Sequence, residues 1–356
     1  MKNFWFCNLL LSLFCFNNLF ATGIFVVEDK IPYQYLATAQ IEVDNHKDNF
    51  VDVSFLWWQF SADDSLYARF QNSAYNEYAS LVRYAKPIPR STPGFKISVG
   101  KGVNNNKWEI GAEYTRIVGK VKAGTYLPYQ MSIIPYYSYI NGNIVAMGCS
   151  EAHTLGRHYY NVLDLLTKYP CYLGRKLIIS TFLGIRGSKI YSFQRNLYYD
   201  VDLDYYDGEI AEGNPVTYET IENIERYKLR ESFKSYYAGI IQGMEVQFIL
   251  VDKLRLEGKL GLSLLTGKTK TKLYSQFSQE VMGESEQTTN YQQIWYIRPV
   301  YETAIGLGFG KYFNRDMYHW DASLLFESNY WGNFFTDDRP ANLWAYGITF
   351  KVRFDF

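Results

Sequence analysis

Residues Leu343 to Phe356 read LWAYGITFKVRFDF, and the stretch alternates. Trp344, Tyr346, Ile348, Phe350, Val352, Phe354 and Phe356 fall on one face, and Ala345, Gly347, Thr349, Lys351, Arg353 and Asp355 on the other. A repeat of two is the mark of a β-strand. Soluble chains seldom tie an aromatic terminus into such a face. The pattern suits the closing strand of an outer-membrane β-barrel, with lipid on one side and a polar lumen on the other.

The composition agrees. The 356 residues hold 33 Tyr, 24 Phe and 8 Trp, yet mean hydropathy is slightly negative at −0.23. Membrane helices need long apolar runs, whereas a barrel hides its lipid affinity in alternate residues. The 36 basic and 36 acidic side chains cancel, so net charge favours neither nucleic acid nor an anionic surface. The one apolar run is FWFCNLLLSLFCF (Phe4–Phe16), after Lys2 and before Asn17 and Asn18. It is too short to span and reads as a signal peptide, residues 1–21, cut after Ala21. Phe14 stands before Cys15 where a lipoprotein would want a small residue. The mature chain keeps Cys149 and Cys171. The strand pattern sets them at opposite ends of one spanning strand, beyond the reach of a disulfide. They either stay free or each form an intermolecular disulfide with another chain.

Ten segments read as strands: 50–60, 94–102, 107–118, 157–168, 176–190, 235–250, 254–268, 294–311, 318–330 and 343–356. Short connections (103–106, 169–175, 251–253, 312–317) alternate with long ones (61–93, 119–156, 191–234, 269–293, 331–342). Short periplasmic turns, long outer loops and an even strand number define an all-β, transmembrane, antiparallel up-and-down barrel. A further hairpin within 130–149 would make twelve strands. Residues 22–49 lack clean alternation and read as an N-terminal periplasmic or plugging segment, leaving 50–356 for the barrel. The segment 157–168 sorts worst, because His158, Tyr160 and Asp164 do not separate from Tyr159, Leu163 and Leu165. A soluble β-sandwich would show the same alternation inverted. The signal peptide, the aromatic terminus and the loop asymmetry decide against it.

Several stretches in order resemble the Legionella-type major outer membrane proteins, pore-forming barrels also found in chlamydia-like bacteria. They are VDVSFLWWQ (Val51–Gln59), PGFKISVGKGVNNNKWEIGAEYTRI (Pro93–Ile117), GRKLIISTFLGIRGSKI (Gly174–Ile190), GFGKYFNRDMYHWDASLLFESNYW (Gly308–Trp331) and the closing GITFKVRFDF (Gly347–Phe356). The resemblance implies an integral outer-membrane pore. It does not extend to loops 119–156 and 191–234, so it implies no ligand for them.

The candidate lumen lining is mixed in sign. Lys96, Arg186, Arg255, Lys259, Arg298, Lys351 and Arg353 face Glu109, Glu113, Glu245, Glu257, Glu302, Asp321, Glu327 and Asp355. Near balance predicts little ion selectivity, which needs rings of one sign. Ten strands leave a narrow or plugged lumen, and inward Gly306, Gly308 and Gly310 would widen one wall or admit a loop. The acidic stretch Tyr198–Pro215 departs from a calcium loop at Tyr205 and Ala211 and reads as a solvated loop. Ser150, Glu151 and His153 (CSEAH) read as an incidental cluster, and His319 as interfacial. No phosphate loop or Cys/His metal site is present in the sequence, so neither cofactor, metal nor enzymatic activity is expected. The expected function is a porin for ion transport and passive diffusion of small polar solutes. The alternative is a surface adhesin or structural protein acting through its long loops. The expected partners are outer-membrane lipid and lipopolysaccharide, the barrel-assembly machinery through the C-terminal strand, and further copies in a homo-oligomer.

Overall fold

The computed structural model of the protein describes residues 49–62, 68–72, 83–85, 88–103, 108–126, 131–135, 144–173, 176–206, 218–251, 253–279, 283–292, 296–313, 317–335 and 341–356. The signal-peptide reading and the segment 22–48 lie outside the described residues.

Ten antiparallel strands form the barrel: β1 (Asn49–Ala62), β2 (Thr92–Val103), β3 (Trp108–Tyr126), β4 (Glu151–Leu173), β5 (Leu177–Tyr206), β6 (Tyr218–Val251), β7 (Leu254–Gln279), β8 (Tyr296–Phe313), β9 (Tyr318–Phe335) and β10 (Ala341–Asp355). Each pairs with its sequence neighbour, and β10 pairs with β1 from Phe50↔Asp355 to Ala62↔Leu343. Asn49 and Phe356 exchange both backbone hydrogen bonds, at 2.8 and 2.9 Å. The sheet closes on itself, so no row of unpaired amides faces lipid, where each would cost several kcal/mol.

The alternation sorts as the closing strand predicts. Trp344, Ile348, Phe350, Val352 and Phe354 are outward and exposed, whereas Leu343, Ala345, Thr349 and Asp355 are buried inside. The outward band continues through Val53 and Phe55, Ile97 and Val99, Leu163 and Leu165, Leu183 and Ile185, Leu256 and Leu260, and Leu324 and Phe326. An apolar surface of this extent on the outside of a closed barrel suits contact with hydrocarbon. β4, which sorted worst in the sequence, alternates without a break: Thr154, His158, Tyr160, Val162 and Asp164 are buried, while Leu163 and Leu165 face out. The pattern was obscured because Tyr160, Val162 and Leu166 are apolar yet inward.

The long loops are largely strand instead. β4, β5, β6 and β7 run for 23, 30, 34 and 26 residues, where crossing the hydrocarbon takes about 9–11. Short connections hold them together at the turn end, so the excess projects beyond the apolar band at the loop end. There the alternation is of polar with polar, as in Lys268-Thr269-Lys270-Thr271-Lys272, with Thr269 and Thr271 buried and Lys270 and Lys272 exposed. Hydropathy contrast vanishes in such a stretch although the sheet persists.

The expected extra hairpin is loop decoration, and the barrel has ten strands. Ile144–Gly148 pairs with the far end of β5, and Met131–Pro135 pairs with Ala68–Asn72.

Candidate functional site

The lumen is the first candidate, and side chains fill it in two layers. Nearer the loop end is an apolar plug, in which Leu56, Trp58, Phe60, Tyr160, Tyr237 and Trp331 pack together. Tyr160 meets Trp331 edge-on at 5.7 Å, and Tyr237 lies 6.4 Å from the same indole. Trp58 Nε1 donates to Thr349 Oγ1 at 3.0 Å. An indole tolerates such burial because its one donor finds an acceptor.

Nearer the turn end is a charged layer. Arg186 on β5 donates to both carboxylate oxygens of Asp164 on β4, at 2.7 and 2.6 Å, and reaches across to Glu302 on β8. Lys259 approaches Glu302 at 3.5 Å. Lys96 on β2 donates to Glu327 on β9 at 2.9 Å and lies 3.7 Å from Glu113. Lys168 holds Glu245 at 3.0 Å. Arg255 binds Glu257 at 2.6 Å and also Asp321. Arg353 spans the lumen from β10 to Glu109 on β3, and holds Asp355 at 2.8 Å. Ionised groups taken from water are costly unless paired and hydrogen-bonded. These bonds meet that condition, and five of them, Arg186–Glu302, Lys96–Glu327, Lys168–Glu245, Arg255–Asp321 and Arg353–Glu109, staple strands that do not adjoin in the sheet.

All fifteen side chains expected in the lumen point inward, and Arg298 is buried with its guanidinium 5.1 Å from the Tyr237 ring. Lys351 lies among carboxylates, with Glu257 and Asp52 nearest in effect. Sequence reasoning missed three charged groups in the same layer: Asp52, Asp164 and Lys168. Asp52 carries a readable signal, since it stands between Val51 and Val53 in an alternating run. Asp164 was hidden by the apolar inward neighbours of β4. His319, expected at the interface, is instead buried and hydrogen-bonded through Nδ1 to Asp355 Oδ2 at 3.0 Å.

The inward glycines neither widen the wall nor admit a loop. A Cβ at Gly308 would stand 2.0 Å from Glu257 Oε1 and 2.9 Å from Arg255 Nε. At Gly310 it would stand 2.7 Å from His319 Nε2 and 2.9 Å from Asp321 Oδ2. Gly308 and Gly310 seat the Arg255–Glu257–Asp321 cluster, and Gly306 lies against the backbone of Leu324. Between the two layers, beside Trp58, Lys96, Tyr160, Arg186 and Glu302, a cavity of about 20 Å³ remains, room for about one water.

The loop end carries the other sequence candidates. Ser150 Oγ donates to Asp200 Oδ2 at 2.6 Å, and Asp200 takes a positive φ of 49° beside a bulge in β5. His153 pairs with Glu151 on the outward face of β4. Serine and histidine of the CSEAH stretch thus hold different carboxylates. Asp207, Glu209 and Glu212 of the acidic stretch lie outside the described residues. Among the described residues no three His, Cys, Asp or Glu side chains could hold a metal ion. Cys149 and Cys171 are both free. Cys149 is 4% exposed, and burial, with the Asp200 carboxylate beside it, pushes its thiol up to about 12. A buried neutral thiol is a poor partner for another chain.

No protein-family model matches the chain, and no curated protein matches it. Solved structures do. The outer membrane protease OmpT from Escherichia coli is 11% identical, with 89% of this chain and 99% of that one covered, at a TM-score of 0.38. A major outer membrane protein from Thermus thermophilus is 10% identical, with 88% and 100% covered, at 0.29. A Pseudomonas aeruginosa FadL homologue is 7% identical, with 87% and 90% covered, at 0.25. The likeness is of fold, that of outer-membrane β-barrels. It corrects the expectation that the chain is no enzyme: a protease is among the barrels it matches.

Proposed function

We propose that the chain is a bacterial outer-membrane protein whose lumen is a packed support and whose working surface is the sheet projecting at the loop end. One observation carries this reading. The described barrel interior holds an apolar layer over an ion-paired layer, with a cavity of about 20 Å³ between them, while β5 and β6 continue for 30 and 34 residues. Passive diffusion needs a continuous wet path, which barrels gain with more strands than ten. A support needs rigidity, which crossed ion pairs and interlocked aromatics supply. On this reading the protein acts at the cell surface, as an adhesin or structural component. Membership of the Legionella-type family is part of the proposal. The stretches that resemble that family fall on β1, β2 and β3, β5, β8 and β9, and β10; the chain would keep that architecture with its lumen filled.

The test has two arms. Refolded protein in planar bilayers is expected to give no stable ohmic steps, and steady conductance steps from folded barrel would overturn the reading. Cells displaying the full chain should attach to surfaces better than cells displaying a chain with residues 207–217 replaced by a Gly-Ser linker. Equal attachment with raised permeability for the full chain would favour the porin.

A further inference from the structure

The outward face of β3–β7 changes chemistry abruptly where the apolar band ends. The last lipid-type row pairs Tyr114, Leu163, Gly187, Ala238 and Thr266 across the five strands. One step toward the loop end, the row is Arg116, Asn161, Lys189, Tyr236 and Lys268. The next contains Tyr159, Tyr191, Lys234 and Lys270, and the third Lys120, Arg157, Phe193 and Lys272. The fourth adds Lys122, Arg195 and Arg230. No position in these four rows is Asp or Glu.

Three of these cations lie against rings. Lys189 lies 5.8 Å from the Tyr236 ring centre, Lys234 5.5 Å from that of Tyr191, and Arg230 5.4 Å from that of Phe193. Tyr159 stacks on Tyr191 at 5.7 Å. The ion pairs among the described residues lie in the lumen or at the Glu151–His153 pair, and none involves this face. Like charges crowded on one sheet face repel, so the arrangement calls for anions from outside the chain. Its position says which. The face is continuous with the lipid-facing surface of the same strands and starts one row beyond it. A free anion or an anionic polymer would gain nothing from that continuity. A lipid carrying phosphate beside its acyl chains would use both surfaces at once.

We propose that rows Arg116–Lys268 to Lys120–Lys272 bind the phosphates of an outer-leaflet glycolipid, whose acyl chains lie on the apolar band below and whose sugar rings meet Tyr159, Tyr191 and Phe193. The proposal rests on the outer-membrane reading for its setting, but its test is independent of conductance or attachment. The full chain, folded in a zwitterionic detergent, is titrated with a bis-phosphorylated, acylated glucosamine disaccharide, with the same lipid after enzymatic dephosphorylation, with inorganic phosphate, and with a soluble anionic polysaccharide. Saturable binding of the phosphorylated lipid is expected, weakening as salt rises. The K189Q/K234Q/K270Q variant should weaken it by about tenfold or more, since it removes the central cations. Single K234Q and K270Q variants give smaller losses in the same direction and serve if the triple variant fails to fold. Equal binding of the dephosphorylated lipid, or unchanged affinity in every variant, would overturn the proposal. Equally tight binding of the polysaccharide or of free phosphate would overturn the lipid assignment, leaving a general anion face.

Discussion

Arg353 and Glu109 meet across the lumen, Nη2 to Oε2 at 3.1 Å and Nη1 to Oε1 at 3.3 Å. Their strands, β10 and β3, are separated in the sheet by β1 and β2, so the pair braces the seam where the chain's two ends join. Phe50 lies beneath, its ring 4.1 Å from the Arg353 guanidinium and seated over Gly100, where a Cβ would stand 2.4 Å from that ring. A double-mutant cycle of Arg353→Met and Glu109→Gln should show coupling of about 1–3 kcal/mol, read from urea unfolding of the barrel in detergent. Additive effects would mean that the bond braces nothing.

Arg186 is anchored by Asp164, by Glu302 and by Ser263, to whose Oγ its Nη1 donates at 3.2 Å, and removing it takes the nearest cation from two acids. Arg186→Met leaves Asp164 and Glu302 buried with their main partner lost, at a cost of about 3–5 kcal/mol. Neutralising all three, as R186M/D164N/E302Q, should recover most of that loss. The measurement is the temperature at which the folded band disappears on unheated versus heated gels.

Gly308→Ala places a methyl on the carboxylate of Glu257, which Arg255 and Ser323 hold at 2.6 and 3.0 Å. The carboxylate must rotate away from both, with a loss of about 1–3 kcal/mol. Gly306→Ala offers a different clash, against the backbone oxygen of Leu324 at 2.0 Å. The first loss should fall in a Glu257→Gln background; the second should not.

Trp58 and Trp331 close the loop-end layer. Replacing both with glycine should give conductance steps in planar bilayers where the parent protein gives none. A variant that folds and stays silent would mean that the charged layer alone seals the lumen.

Cys149 keeps its proton well into alkaline solution, because its folded-state value, about 12, exceeds the ordinary thiol value. The raised value favours the folded state below about pH 9, and that contribution is lost as pH rises toward 12. At pH 8 a maleimide should label Cys171 first and Cys149 only after unfolding. Rapid labelling of Cys149 in folded protein would contradict its burial.

The barrel was legible because lipid enforces a strict rule. Every second residue of a spanning strand must be apolar, so Leu343–Phe356 and its counterparts announce themselves, and the fifteen lumen charges follow by parity. The rule lapses in two places. Inside, Tyr160, Val162 and Leu166 belong to a plug that is apolar on the inward face, which blurred β4 and hid Asp164. Outside, water accepts either face, so the projecting halves of β5, β6 and β7 read as loops.

The sequence by itself determined the order and parity of ten strands, since these depend on local alternation and on connection lengths, but it left open whether 130–149 adds a spanning hairpin. Only the tertiary structure decided whether the lumen is open, because that depends on how side chains from ten strands meet, as Trp58, Tyr160 and Trp331 do. It also decided where the charge sits. A net charge of zero conceals lumen acids paired with lumen bases and four outward rows of β3–β7 that hold bases and no acids. Partition of that kind follows from closing the sheet into a ring, which gives each strand an inside and an outside that composition cannot see.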